Sequence, residues 1–381
     1  MRINLGKRKN LVLAAVTVAL TAPASAFAAG TTLTITGYFR VGIESYSISN
    51  SVGRANSSQF RLTDNSSRID FAVNEDLGEG LSAIAYVSSR INPTTTGGST
   101  WGTGATWVGL RDERWGTVTF GNKDLHYYHL SDTVYVTGAT AEDAWAVGLL
   151  SYVNNAGKNQ AIASATRTPN TVEYVSPTWG LFSFSAAWSA NRAGSPADMG
   201  PAAGAVTTRR GDAWNFAPQL HGGNWVAGYS YWRSKADLGA EPDQRSDRLW
   251  GYYQFPQGFY VGLTWDKSKL ENAATGADIA GRNAWSIPVA YSWGSNRIGY
   301  TYTRADDDKV LGSGTGAKLN AIYYNYALSK RTQVAVTYAH LNNDSKAVYN
   351  LYSTSLGSTD VATLSPGESP RALQVTLNLS F

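Results

Sequence analysis

The chain of 381 residues has no cysteine, which excludes a disulfide scaffold and suits passage through an oxidising compartment without stray thiols. It also lacks a spanning helix. The longest apolar run, Leu11 to Ala22, is about a dozen residues where roughly 20 are needed, so a helical membrane protein is excluded. Arg2, Lys7, Arg8 and Lys9 precede that run and Ala26-Phe27-Ala28 follows it, the pattern of a secretory signal peptide cut after Ala28. This leader, residues 1–28, takes four of the 32 basic residues and none of the 28 acidic ones. The mature chain is therefore formally neutral, and nucleic acid is not an expected partner. Helical periodicity, linkers and compositional boundaries are absent too, so residues 29–381 read as one domain.

What the chain does have is glycine (38), tyrosine (22), tryptophan (13) and a persistent two-residue period. In the first mature segment Leu33, Ile35, Phe39, Val41 and Ile43 share one face, and Thr34, Thr36, Tyr38, Arg40 and Glu44 share the other. Segments at 66–74, 81–90, 106–111 and 117–121 continue the pattern. Further strands are expected near 168–177, 180–191, 211–219, 223–234, 246–255, 258–268, 282–293, 296–305, 317–328, 331–342 and 371–381, which brings the total to sixteen. Short turns such as Pro256-Gln257-Gly258 alternate with long Gly/Ser/Asp-rich loops such as Gly194 to Arg210 and Asn342 to Pro370. That asymmetry predicts an all-β, 16-stranded antiparallel transmembrane barrel. A soluble sandwich is the weaker reading, since it would not spread so many aromatics along the strands. Tyr229, Tyr231, Trp232, Trp250, Tyr252, Trp265, Trp285, Tyr291 and Trp293 are expected in interfacial girdles.

One stretch breaks the period. From about Asn122 to Arg167 the chain carries Asp124, His126, His129, Asp132, Glu142, Asp143 and Trp145 without alternation, and a structureless connection of that length usually has a task. The expectation is that it lies inside the barrel and narrows it.

The residues resemble the Gram-negative general porin family. The matching pieces are Gly37-Tyr38, Ser67-Arg68 with Glu75-Asp76-Leu77-Gly78-Glu79-Gly80-Leu81, Val108-Gly109-Leu110 with Gly116-Thr117-Val118-Thr119-Phe120-Gly121, Asn170 to Pro177, Tyr326-Ala327-Leu328-Ser329-Lys330-Arg331-Thr332 and the terminal Phe381. They span nearly the whole mature chain and are specific as an ordered set. The resemblance implies a homotrimer in the outer membrane of a Gram-negative bacterium, bedded in lipid and lipopolysaccharide, with a third external loop folded inward. It also implies that the barrel-assembly machinery reads Phe381. Gly104 and Asn122 stand where many relatives carry Arg, and Ser88 where many carry Glu, so the resemblance does not carry an ion preference over to this chain.

Arg40, Arg68 and Arg90 share the lumen parity of three successive strands, and Arg167 enters the next on the parity of Thr171 and Glu173. Opposite them the loop offers Asp132, Glu142 and Asp143. Together these seven are the expected pore constriction, a transverse field that favours small polar solutes and ions crossing by passive diffusion. The bland reading of each is a solvated charge or a structural pair. Asp124, His126, His129 and Asp132 have metal-binding residue types, but three-residue spacing brings the histidines together only on a helical turn, and a plain polar loop is the preferred reading. Trp145 and Tyr135 keep open a sugar-selective pore with an aromatic slide. A barrel enzyme is a further alternative, disfavoured because the four histidines have no nucleophile signature beside them. The run Gly312-Ser313-Gly314-Thr315-Gly316-Ala317-Lys318 lacks the spacing of a phosphate loop and reads as an external loop. No cofactor is expected.

Overall fold

The structure is a computed structural model that describes residues 30–51, 53–95, 101–132, 141–162, 167–190, 211–235, 242–352 and 363–381. The predicted leader lies outside the described residues. So do Tyr135 and the stretch 191–210, which holds all of the predicted external loop Gly194 to Arg210.

The strands are β1 (Gly30–Ser49), β2 (Ser58–Asp64), β3 (Arg68–Gly78), β4 (Leu81–Arg90), β5 (Thr106–Asp112), β6 (Gly116–Asp124), β7 (Tyr152–Asn155), β8 (Lys158–Ala161), β9 (Arg167–Val175) and β10 (Phe182–Ser189). They continue with β11 (Ala213–His221), β12 (Trp225–Ser234), β13 (Asp243–Gln254), β14 (Phe259–Glu271), β15 (Asp278–Trp293), β16 (Asn296–Ala305), β17 (Ala317–Ala327), β18 (Thr332–Asn343) and β19 (Ser369–Ser380). All but β7 and β8 form one antiparallel sheet, which β1 closes by pairing with β19 from Tyr38↔Ser380 to Ser49↔Ser369. On its other side β1 pairs first with β3 and then with β2, so these two segments are one stave broken at Asn65-Ser66-Ser67. The result is the expected closed barrel of 16 strands.

Alternation decides which way each strand faces. In β19, Leu373, Val375, Leu377 and Leu379 are 47–53% exposed while Ala372, Gln374, Thr376 and Asn378 are at most 2% exposed. A closed ladder satisfies every backbone group and leaves the apolar parity for lipid, as a barrel spanning hydrocarbon requires. Tight turns join the strands at one end. At Gly116 the backbone has φ +97°, and a Cβ there would stand 2.3 Å from the Val175 carbonyl oxygen, so glycine is required on both counts.

Three local expectations change. The acidic stretch Glu75 to Gly78 is the end of β3, and only Glu79-Gly80 turns. β2 was not anticipated, nor was the hairpin β7–β8 inside the long non-alternating stretch. Trp232, Trp250 and Tyr252 do not belong to the girdles: they share the buried parity of Ser230 and Arg248, and fully buried Trp232 donates to Gln244 Oε1 at 3.2 Å. Tyr291 and Trp293 do face outward, stacked with ring centroids 5.5 Å apart.

Candidate functional site

After β6 the chain leaves the ladder and makes its contacts on the buried parity of distant strands. A short 3₁₀ turn at His126–Tyr128 meets β12 and β13, where the His126 ring lies 2.9 Å from both Ser230 Oγ and Ser246 Oγ. Ser246 sends its proton to Asp266 at 3.0 Å, so Nε2 donates to Ser246 and Nδ1 accepts from Ser230, the neutral tautomer. Ser131 N–H donates to Thr264 Oγ1 at 2.9 Å, and the Tyr260 hydroxyl donates to the Ser131 carbonyl at 2.6 Å. A second 3₁₀ turn, Glu142–Ala144, touches the opposite wall through Ala141 N–H to Thr337 Oγ1 and Glu142 N–H to Asn65 Oδ1. The one-turn helix α1 (Val147–Leu150) then packs its apolar side chains with Ala284, Ala305, Ala321 and Ala339. Small residues on the buried parity of β15 to β18 leave the room that Val147, Leu149 and Leu150 fill.

A charged clasp missed at the sequence level holds this segment. Arg248 of β13, Asp266 of β14 and Arg282 of β15 are fully buried, with Arg248 Nε 2.9 Å and Arg282 Nη1 2.6 Å from the two Asp266 oxygens. The remaining guanidinium donors go to carbonyls of the segment: Arg248 to His126, Tyr127 and Leu150, Arg282 to Leu149, Leu150 and Tyr152. Two cations against one carboxylate would be costly in a dry site, and the ring of carbonyl dipoles supplies the missing negative potential. The same setting lowers the His126 pKa to about 4, chiefly through burial and then through Arg248, and burial lowers His129 to about 3. His126 is thus a buried part of the anchor, while His129 is half-buried beside Gln219 and Trp250. Asp124, His126, His129 and Asp132 do not converge, and the described residues contain no cluster of three or more metal-ligating side chains.

The predicted basic residues stand together on adjacent strands. Tyr38 faces Arg68, and Arg68 faces Arg90, in the β1–β3 and β3–β4 ladders. The Arg40 and Arg68 guanidiniums lie 4.5 and 4.9 Å from the centroid of the Tyr38 ring, whose π electrons attract both cations. Arg68 Nε and Arg90 Nη1 both donate to the Ser66 carbonyl, at 3.3 and 2.9 Å. Ser66 itself has φ +63°, so the break between β2 and β3 turns a carbonyl into the lumen between two cations. Arg167 differs from these three: it ends at Asp124, 3.2 Å away, beside a Lys123–Glu173 pair at 2.9 Å.

The acidic residues divide as well. Asp132 Oδ2 accepts from Ala146 N–H at 2.6 Å and so fixes the entry to α1. Glu142 and Asp143 border a small cavity with Glu44, Arg61, Asp64, Tyr352 and Gln374. The three departures from the family pattern form one neutral patch. Gly104 N–H donates to the Ser88 carbonyl, Asn122 Nδ2 donates to the Gly104 carbonyl, and a Cβ on Gly104 would lie 2.4 Å from Ser88 Oγ.

Trp145 is buried and meets the Tyr352 ring edge-on, with centroids 4.7 Å apart at 90°, so its faces are covered and no aromatic slide is presented there. The glycine run after Asp308 is occupied by carboxylate: Asp307 Oδ1 accepts from the Thr315 and Gly316 N–H groups, which leaves these donors with no phosphate to cradle. At the barrel seam, Phe381 N–H donates to the Gly37 carbonyl at 3.1 Å, and its ring lies 6.1 Å from that of Phe39 on the exposed face.

A closed barrel with an apolar outside, a polar inside and a chain segment held on its inner wall defines a transmembrane channel of the outer-membrane type. The Gram-negative porin family model matches residues 14–346, more than half of the chain, and the protein belongs to that family. It is an outer-membrane channel for passive diffusion of solutes, a non-enzymatic role. Among solved structures, the anion-selective porin from Comamonas acidovorans is similar at TM-score 0.71 and 18% identity, with 92% of this chain and 100% of that one covered. OmpT of Vibrio cholerae in its trimer form is similar at TM-score 0.63 and 14% identity, with 92% and 100% covered. Salmonella typhi OmpF is similar at TM-score 0.62 and 13% identity, with 92% and 98% covered. A search of curated proteins gave no match.

Proposed function

We propose that the channel is a homotrimeric general diffusion pore for small hydrophilic solutes and ions, exported by removal of residues 1–28. Its constriction is the gap between Arg40, Arg68, Arg90 and Arg167 on one side and the segment bearing Asp132, Glu142 and Asp143 on the other. The observation that carries this is the stacking of Arg40 and Arg68 on Tyr38, on the buried parity, in a barrel whose opposite inner wall clasps a segment from the β6–β9 connection. Clustered guanidiniums across from carboxylates set up a field that orders water and discriminates ions by sign. Outer-membrane lipid and lipopolysaccharide surround the barrel, and Phe381, half-exposed at the seam, is the signal for assembly. Insertion into planar bilayers should give conductance steps in groups of three, as the trimeric Vibrio cholerae neighbour suggests. Refolded protein that never conducts would refute it.

A further inference from the structure

Where the second 3₁₀ turn meets the wall, two carboxyl groups face each other around one small cavity. Glu44 of β1 is fully buried; its Oε2 accepts from Arg61 Nε at 2.6 Å, while its Oε1 is buried with no hydrogen-bond partner among the described residues. Asp143, only 7% exposed, borders the same cavity, which Arg61, Asp64, Tyr352 and Gln374 complete. A buried carboxylate oxygen without a donor is costly, and the group able to supply a donor here is a protonated neighbour.

We propose that Glu44 and Asp143 share one proton as a carboxyl latch, which docks the turn at Glu142–Ala144 on the wall and lets it go as the medium becomes alkaline. This rests on the proposed constriction, since the latched segment is the one that narrows the pore.

The surroundings favour the proton. β1 contributes Glu44 and Tyr46; β2 contributes Arg61 and Asp64; Glu142 is adjacent in the turn; Tyr352 approaches from the connection after β18; Arg90 of β4 acts on Asp64 from farther off. β17 and β18, which pack on the turn, carry no charged side chain on their buried parity. Asp64 already accepts from Ser67 N–H, at 3.1 Å. Among the described residues Arg61 is thus the one cation at the cavity, against Glu44, Asp64, Glu142 and Asp143. Burial, with the facing Glu44 next in weight, raises the Asp143 carboxyl well above the usual range, and Arg61 offsets part of this. The docked pKa lies above the free one. Docking is therefore fully present below the free carboxyl pKa and is lost as pH rises through the docked value. Two ionised carboxylates then repel, and the turn swings off the wall into the open lumen.

The test is the rate of partial closures of the assembled protein in planar bilayers, for the unsubstituted chain, Asp143→Asn and Glu44→Gln, from about pH 5 to about pH 9. Closures of the unsubstituted channel should increase with pH, by up to about tenfold per pH unit. Both variants should flatten that dependence, because an amide donates the same hydrogen bond without ionising. If Asp143→Asn loses the heat-modifiable gel mobility of an assembled barrel, Glu44→Gln gives the same readout from the wall side. A closure rate in the unsubstituted chain that does not change with pH, or an undiminished slope in the assembled variants, overturns the latch with the pore intact. Absence of conductance at every pH overturns the constriction and the latch with it.

Discussion

Arg282 donates from Nη1 to Asp266 Oδ1 at 2.6 Å across the β14–β15 ladder, and both side chains are fully buried. The bond matters because the same guanidinium holds the Leu149, Leu150 and Tyr152 carbonyls, so wall and segment share one polar network. Removing one partner from a buried ion pair costs about 3–5 kcal/mol, since the other charge stays behind uncompensated. Arg282→Met should therefore release the segment and give a noisier channel, while the strand ladder, which does not depend on the clasp, keeps its heat-modifiable mobility. A quiet channel of unchanged conductance would show that the clasp does not hold the segment.

The clasp also sets an acid limit. His126 is docked as the neutral ring, with its pKa lowered from the usual 6.5 to about 4 by burial and by Arg248. A depressed pKa means that this share of docking is present above the free value and is lost as pH falls through the docked one. Between about pH 7 and about pH 4 the segment should become more accessible to added protease, a change opposite in sign to the alkaline release at Glu44 and Asp143. Equal protection at both values would place the histidine outside the anchor.

Selectivity tests the basic wall. Replacing Arg40 or Arg68 with a neutral residue removes positive potential from the lumen while the carboxylates of the segment remain, so the reversal potential in asymmetric KCl should move toward cation preference. Arg167→Gln should shift it less, because Arg167 is already compensated by Asp124 at 3.2 Å. An unchanged reversal potential in both the Arg40 and the Arg68 variants would put the wall elsewhere.

The barrel was legible in the sequence because lipid and lumen impose a strict period of two, and a run such as Leu373 to Leu379 admits only one orientation. Parity placed Arg40, Arg68 and Arg90 correctly on the buried side for the same reason. β2 escaped because Asn65-Ser66-Ser67 interrupts its stave, and that interruption is what aims the Ser66 carbonyl between Arg68 and Arg90. Trp232 and Trp250 have the residue type of a girdle but the parity of the interior: each lies an even number of positions from a buried Ser or Arg on its own strand. The signal for the clasp was of the same kind, since Arg248, Asp266 and Arg282 share the buried parity of three successive strands. Their meeting with carbonyls 98 to 133 residues away depends on tertiary register, which no local pattern carries.

The most direct measurement is the single-channel conductance of a chain trimmed from roughly Asp132 to Trp145, compared with the untrimmed one under the same salt. The deletion removes no strand pairing among the described residues, so the barrel should assemble. If the segment from Asn122 to Arg167 narrows the pore, conductance should rise clearly. An assembled channel whose conductance stays the same would contradict the constriction.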